Sequence, residues 1–169
     1  TAVINASAQG VIQTALKADC ITRVLGAAHG IKGVLEDKLY DMAQEDPAEL
    51  DLMKYTPSSA LGSCRYKLPE NMDASVYPLL FEKFKAMNIG AVFYIGGNDS
   101  MDTADKLSRY AAMAKEDIVF IGVPKTIDND LPVTDHTPGY GSAARYVAST
   151  VREIVLDASV YQQPAVTII

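Results

Sequence analysis

A chain of 169 residues is about one domain's worth, and 49% apolar with 21% charged residues is an ordinary globular composition. A formal net charge of −6 argues against nucleic acid or acidic membrane surfaces as general partners, whereas local cations and a divalent ion still permit a phosphate ligand. No apolar run approaches the roughly 18 residues that cross a bilayer, and no signal peptide is visible, so a cytoplasmic protein is expected.

Val3, Ala6, Ala8, Val11, Ile12, Ala15 and Leu16 fall on one broad helical face. Residues 21–27 read as a short strand, and Gly30 and Gly33 delay any helix until about 36–42. Residues 47–57 look like a surface excursion. Residues 72–88 have helical spacing, with Pro78 favouring a start or kink near that position. The strand-like run 89–95 leads through Gly96-Gly97-Asn98-Asp99-Ser100 into a helix over about 100–115, where Asp99 or Ser100 can cap and Asp102 suits the first turn. A second run, 118–123, leads through Pro124-Lys125-Thr126-Ile127-Asp128-Asn129-Asp130 towards a long helix over about 141–161. A final strand is expected after Pro164. Cys20 and Cys64 lie far apart without C-x-x-C spacing and read as reduced thiols. His29 and His136 lack ligand-like spacing and read as structural, and Gly139-Tyr140-Gly141 as the turn into the long helix.

Strands alternating with helices predict an α/β fold, an open and mostly parallel sheet with helices on both faces. The chain opens directly into helical spacing and stops within a strand-like run, so it reads as a fragment truncated at both ends. Neighbouring parallel strand ends open into the crevice where such folds bind ligands. Gly96-Gly97 lets backbone amides approach an anion, and the following helix adds positive potential. Taken alone, that turn is equally a tight turn with a side-chain cap. Lys125 to Asp130 is harder to explain as a turn, because a capping loop needs one carboxylate and this one has two beside a lysine and a hydroxyl. Arg65 offers a planar fork suited to phosphate oxygens.

Gly96-Gly97-Asn98-Asp99-Ser100 and Pro124-Lys125-Thr126-Ile127-Asp128-Asn129-Asp130-Leu131, with Thr134-Asp135, resemble the phosphofructokinases. So do Leu61-Gly62-Ser63-Cys64-Arg65, like that family's phosphate-contacting stretch, and Thr1-Ala2-Val3-Ile4-Asn5, like the tail of its first phosphate loop. The resemblance implies that residues 1–169 form part of a Rossmann-like, N-terminal donor-binding lobe, with the second lobe absent. It implies phosphoryl transfer to the 1-hydroxyl of fructose 6-phosphate, with Mg²⁺ and, in the full-length protein, a homo-oligomer (dimer or tetramer). Asp128 would be the general base, since a carboxylate beside the attacking oxygen suits proton removal. Thr126 and Ile127 would hold the sugar and the transferring phosphoryl, Asp130 would lie on the substrate side, and Gly97 and Arg65 would take the donor phosphates. Asn98 and Asp99 would hold the metal; many members have aspartate where this chain has Asn98.

Asp99 and Lys125 stand where the ATP-using branch has glycines, so the resemblance narrows to the pyrophosphate-dependent branch. By that resemblance Asp99 occupies the place of a nucleotide's α-phosphate, and like charges about 4 Å apart repel by roughly 4 kcal/mol at an effective dielectric near 20. Lys125 would neutralise phosphoryl oxygens of a donor that lacks an adenosine handle, which adds a catalytic role. The alternatives are an ATP-dependent phosphofructokinase with unusual loops and a non-catalytic regulatory subunit of the same fold. The fragment alone is expected to be inactive.

Overall fold

The computed structural model describes residues 3–164 and 166–168. Thr1 and Ala2, which head the first expected phosphate-loop segment, and Ala165 and Ile169 of the expected last strand lie outside the described residues. The chain divides into two compact units, Thr1–Lys125 and Thr126–Ile169. None of the described helices is long and apolar enough to cross a membrane.

In the first unit, α1 (Val3–Leu16) follows its helical spacing, but two of its four buried positions are polar, Asn5 and Gln9 beside Ala8 and Ile12. Asn5 is 1% exposed. Its Nδ2 donates to the Thr56 carbonyl at 2.8 Å, and its Oδ1 accepts the Ala60 N–H at 2.7 Å. A buried amide is tolerated because both ends are satisfied.

The segment after α1 departs from expectation. Only Leu25–Ala27 of the 21–27 run is strand (β1), and it pairs antiparallel with β2 (Leu39–Asp41), Gly26 opposite Tyr40. The expected 36–42 helix is replaced by α2 (Ile31–Leu35), β2 and a 3₁₀ turn, Met42–Gln44. Gly33 permits this: a Cβ there would lie 2.1 Å from the Ala28 carbonyl oxygen, so the helix comes early and folds back tightly on β1. Within 47–57, α3 (Pro47–Leu52) forms because Asp46 accepts the Ala48 N–H at 2.8 Å and Pro47 sits in the first turn, where its missing N–H costs nothing.

The main core forms around α4 (Val76–Ala86), whose Tyr77, Leu80, Phe81 and Phe84 are buried against Ile31, Val34, Leu68, Leu107, Ala111 and Ile118. Pro78 falls within its first turn, as its missing donor allows. Phe81 lies 5.7 Å from Phe120 and 4.8 Å from Tyr110, tying the helix to the sheet and to the next helix. That sheet is parallel: β3 (Ala91–Gly96) and β4 (Val119–Pro124) pair from Ala91↔Val119 to Gly96↔Pro124. α5 (Asn98–Ala114) joins them and lies close to β4, because a Cβ on Gly122 would be 2.9 Å from Met101 Sδ.

The expected parallel α/β core is therefore present as a two-stranded pair, with a separate antiparallel pair beside it in sequence. On one face Val92, Tyr94 and Phe120 pack on the main core, and on the other Ile95 packs on a smaller cluster with Ala8 and Ile12 of α1. The rest of that second face leaves Phe93 41%, Val119 55% and Ile121 39% exposed, so the expected cover by helices is incomplete there among the described residues.

The second unit holds a loop and α6 (Tyr140–Ala158), close to the expected 141–161. The described residues 166–168 are not strand. Val166 is 91% and Ile168 94% exposed, and an apolar run becomes a strand only where a neighbour supplies ladder bonds.

Candidate active site

The two acid-bearing loops begin side by side. Gly96 and Pro124 are register partners at the carboxyl ends of β3 and β4, and Lys125 extends the ladder by donating its N–H to the Gly96 carbonyl at 2.7 Å. α5 starts two residues after that rung, with Gly97 at its N-cap in extended conformation. Neither Asp99 nor Ser100 caps the helix. The Gly-Gly turn admits the chain into the helix earlier than expected, which carries both residues past the cap into its first turn.

Freed from capping, the Asp99 carboxylate meets Lys67 Nζ at 3.2 Å. The Lys125 side chain crosses the opposite partner of the turn: a Cβ on Gly97 would lie 3.9 Å from both Cε and Nζ. Two ammonium groups and the amide end of a helix thus surround one small turn, an arrangement that favours a multiply charged anion. Lys67 was not among the expected site residues. Its one available signal was its place two residues after Arg65, the spacing that puts extended side chains on one side.

Lys67 and Asp99 are 77% and 75% exposed. At such exposure the dielectric is near that of water, and repulsion between Asp99 and a neighbouring phosphate falls to about 1 kcal/mol. The carboxylate's charge is also partly compensated by Lys67. Bulk therefore carries more of any discrimination by Asp99 than its charge does.

Arg65 is exposed on the stretch that precedes Lys67. That stretch is held by His29, whose N–H donates to the Leu61 carbonyl at 2.7 Å and whose ring packs on Gly62. Ser59 Oγ donates to the Gly62 carbonyl at 2.6 Å. His29 acts structurally, as its isolated position in the sequence implies.

Farther along, residues 67–70 are strapped to α5 by Lys106. This lysine is 5% exposed; its Nζ donates to Glu70 at 2.6 Å, to Asp102 at 2.7 Å and to the Leu68 carbonyl at 3.4 Å. The hydrogen bond to Asp102, then that to Glu70, holds its ammonium above the usual lysine range. Tyr77 Oη donates to the Pro69 carbonyl at 2.7 Å from α4.

The second unit carries Thr126, Ile127, Asp128 and Asp130 on one loop. Thr126 is buried, and its Oγ1 accepts the Asp128 N–H at 3.0 Å, closing a small turn that leaves the Asp128 carboxylate exposed. Asn129 takes positive φ (58°) and pins the loop: its Oδ1 accepts the Thr137 N–H at 2.9 Å, and its Nδ2 donates to the Asp135 carbonyl at 3.1 Å. Asn tolerates that conformation better than bulkier residues do. Gly139, at φ 91°, turns the chain into α6, 3.6 Å at its Cβ position from Ile127 Cγ2. His136 and Tyr140 rings lie 6.1 Å apart.

No group of three His, Cys, Asp or Glu gathers to hold a metal among the described residues. One carboxylate, Asp99, stands beside one amide, Asn98, both exposed at the start of α5. That sparse, all-oxygen set fits Mg²⁺, which keeps several waters and is held through one or two carboxylates plus substrate phosphates. It does not fit a resident zinc site, which needs a closed set of nitrogen and sulfur ligands.

A parallel strand pair that runs through Gly96-Gly97 into a helix, with Lys125 beside Gly97 and Lys67 on Asp99, is the ligand-crevice end of an α/β protein. The Phosphofructokinase family profile matches residues 1–169, and the chain belongs to that family. It is 49% identical over 158 residues to the pyrophosphate–fructose 6-phosphate 1-phosphotransferase of Xanthomonas campestris, covering 93% of this chain and 37% of that protein. The enzyme of the same name from Methylococcus capsulatus is 45% identical over 159 residues, covering 93% of this chain and 38% of that one. The crystal structure of pyrophosphate-dependent phosphofructokinase from Nitrosospira multiformis superposes with a TM-score of 0.85 at 48% identity, over 94% of this chain and 39% of that one. The chain thus spans well under half the length of these relatives.

Proposed function

We propose that the protein to which this chain belongs transfers a phosphoryl group from inorganic pyrophosphate to the 1-hydroxyl of fructose 6-phosphate. The product is fructose 1,6-bisphosphate, in a reversible step of glycolysis, and residues 1–169 supply part of the donor-binding lobe. The observation that carries this reading is the lysine-flanked Gly97 turn at the ends of β3 and β4, in a chain 45–49% identical to pyrophosphate-using relatives.

In this reading the amides at Gly97 and the ammonium of Lys125 receive the diphosphate, and Arg65 clamps its outer oxygens. Asp99 fills the space a nucleotide's α-phosphate needs. Lys125 stabilises the charge that builds as the bond to the leaving phosphate breaks. Asp128, held by the Thr126 turn, accepts the proton of the attacking sugar hydroxyl, while Thr126 and Ile127 orient the sugar and Asp130 supports that side of the loop. Asn98 and Asp99 would hold Mg²⁺, which when bound would supply charge neutralisation at the phosphoryl oxygens. The enzyme works in the cytoplasm as a homo-oligomer.

The test is the full-length protein assayed for fructose 1,6-bisphosphate formation with pyrophosphate or ATP as donor. Turnover with pyrophosphate and little with ATP is expected; faster turnover with ATP overturns the donor assignment.

A further inference from the structure

Lys106 is a buried cation with no part in the chemistry above. A lysine pays heavily for leaving water unless its three donors are occupied, and here all three have acceptors: Glu70, Asp102 and the Leu68 carbonyl. Asp102 lies one turn earlier on α5, a common i, i+4 pairing. Glu70 and Leu68 belong to a different segment, the irregular stretch that follows Arg65. The lysine therefore ties that stretch to the same helix whose first turn carries Asn98 and Asp99.

The tie has a direction. Glu70 is 88% and Asp102 54% exposed, so both carboxylates stay largely solvated while accepting from one lysine whose side chain is 6% exposed. Between that anchor and the helix start, Lys67 reaches Asp99 at 3.2 Å. Tyr77 fixes Pro69 from the core side. A four-residue strap is thus fastened at one end by Lys106 and presents Lys67 at the other.

We propose that Lys106 is a positioning residue for the diphosphate site, holding residues 67–70 on α5 so that Lys67 stands at Asp99 as the second donor-binding ammonium beside Lys125. This rests on the reading of the turn as a pyrophosphate site and adds two residues to it. Lys67 restrains the Asp99 carboxylate and contributes positive charge to the donor; Lys106 acts only through the strap.

The experiment uses the full-length enzyme with Lys67→Met, Lys106→Met, Glu70→Ala and the Lys67→Met/Lys106→Met double variant. KM for pyrophosphate, KM for fructose 6-phosphate, kcat and Tm are measured for each. Lys67→Met, an exposed change, should raise KM for pyrophosphate about tenfold and leave KM for the sugar within about twofold. Lys106→Met should do the same with a lower Tm, and the double variant should be no worse than Lys67→Met, because the two changes remove one contact. A folded Lys106→Met enzyme with normal KM for pyrophosphate, or effects that multiply in the double variant, overturns the proposal. Should Lys106→Met fail to fold, Glu70→Ala decides: a rise of about threefold supports the strap and an unchanged value overturns it. A wild-type enzyme inert with pyrophosphate would instead bring down the functional reading itself, a result distinct from normal wild-type turnover with insensitive variants.

Discussion

Lys125 donates its backbone N–H to the Gly96 carbonyl at 2.7 Å, one rung beyond the last register pair of β3 and β4. The lysine is thereby part of the sheet, and its ammonium reaches Gly97 from a fixed base.

On the proposed reading, donor choice follows from this placement. In the full-length enzyme, replacing Asp99 and Lys125 together with glycine should weaken pyrophosphate use and admit ATP. The Asp99 carboxylate is exposed and paired with Lys67, so relief of its charge contributes only about fivefold to ATP use, with relief of bulk adding to it. Steady-state kinetics with both donors check this; an unchanged preference sinks the argument.

Asp128→Ser in the complete enzyme should lower kcat by about 10²–10⁴-fold with modest change in KM, as expected when a general base is lost. The Thr126–Asp128 turn uses backbone N–H and a threonine hydroxyl, so serine at 128 leaves it intact. A loss below about tenfold removes Asp128 from the base role.

The strand–turn–helix around Gly97 is legible in the sequence because an apolar run, two glycines and a long amphipathic stretch agree with one another. Lys125 is legible because it directly follows an apolar strand. Three things are not. β1 and β2 are three residues each, too short for a period-2 pattern to register. The start of α5 at Asn98 is hidden because Asp99 and Ser100 read as caps until the Gly-Gly turn brings the helix forward. Lys67 and Lys106 gain their meaning from partners at positions 99, 70 and 102, and distant pairings of single charges leave no periodic trace.

Tyr94 gives a stability readout independent of activity. Burial, with a smaller contribution from Cys64, pushes its phenol up to about 12. An unfolded tyrosine ionises near about 10, so below that pH both states hold the proton and the stabilisation is complete. As pH rises from about 10 through 12 the unfolded state loses its proton first, and roughly 2–3 kcal/mol of stability disappears. Urea unfolding across that window should show a steeper loss for the wild type than for Tyr94→Phe; equal slopes refute the assignment.

Gly62→Ala tests the support beneath Arg65. Gly62 has φ 75°, where a side chain costs about 1–2 kcal/mol, and its Cβ would lie 2.4 Å from His29 Nδ1. The variant should lower the thermal midpoint by about 2–8 °C, and adding His29→Ala should recover only the part due to the clash. Full recovery would mean that backbone conformation contributes nothing.

If the Gly97 turn takes the donor as proposed, the parallel register of β3 and β4 also makes chain length a determinant of donor recognition. Inserting or deleting a single residue between Ala91 and Gly96 would shift Lys125 against Gly97 by one strand position, even with every side chain retained. The same indel in the turn after α5, beyond Lys115, leaves that alignment untouched, so natural length variation in functional relatives should collect there and avoid the strand.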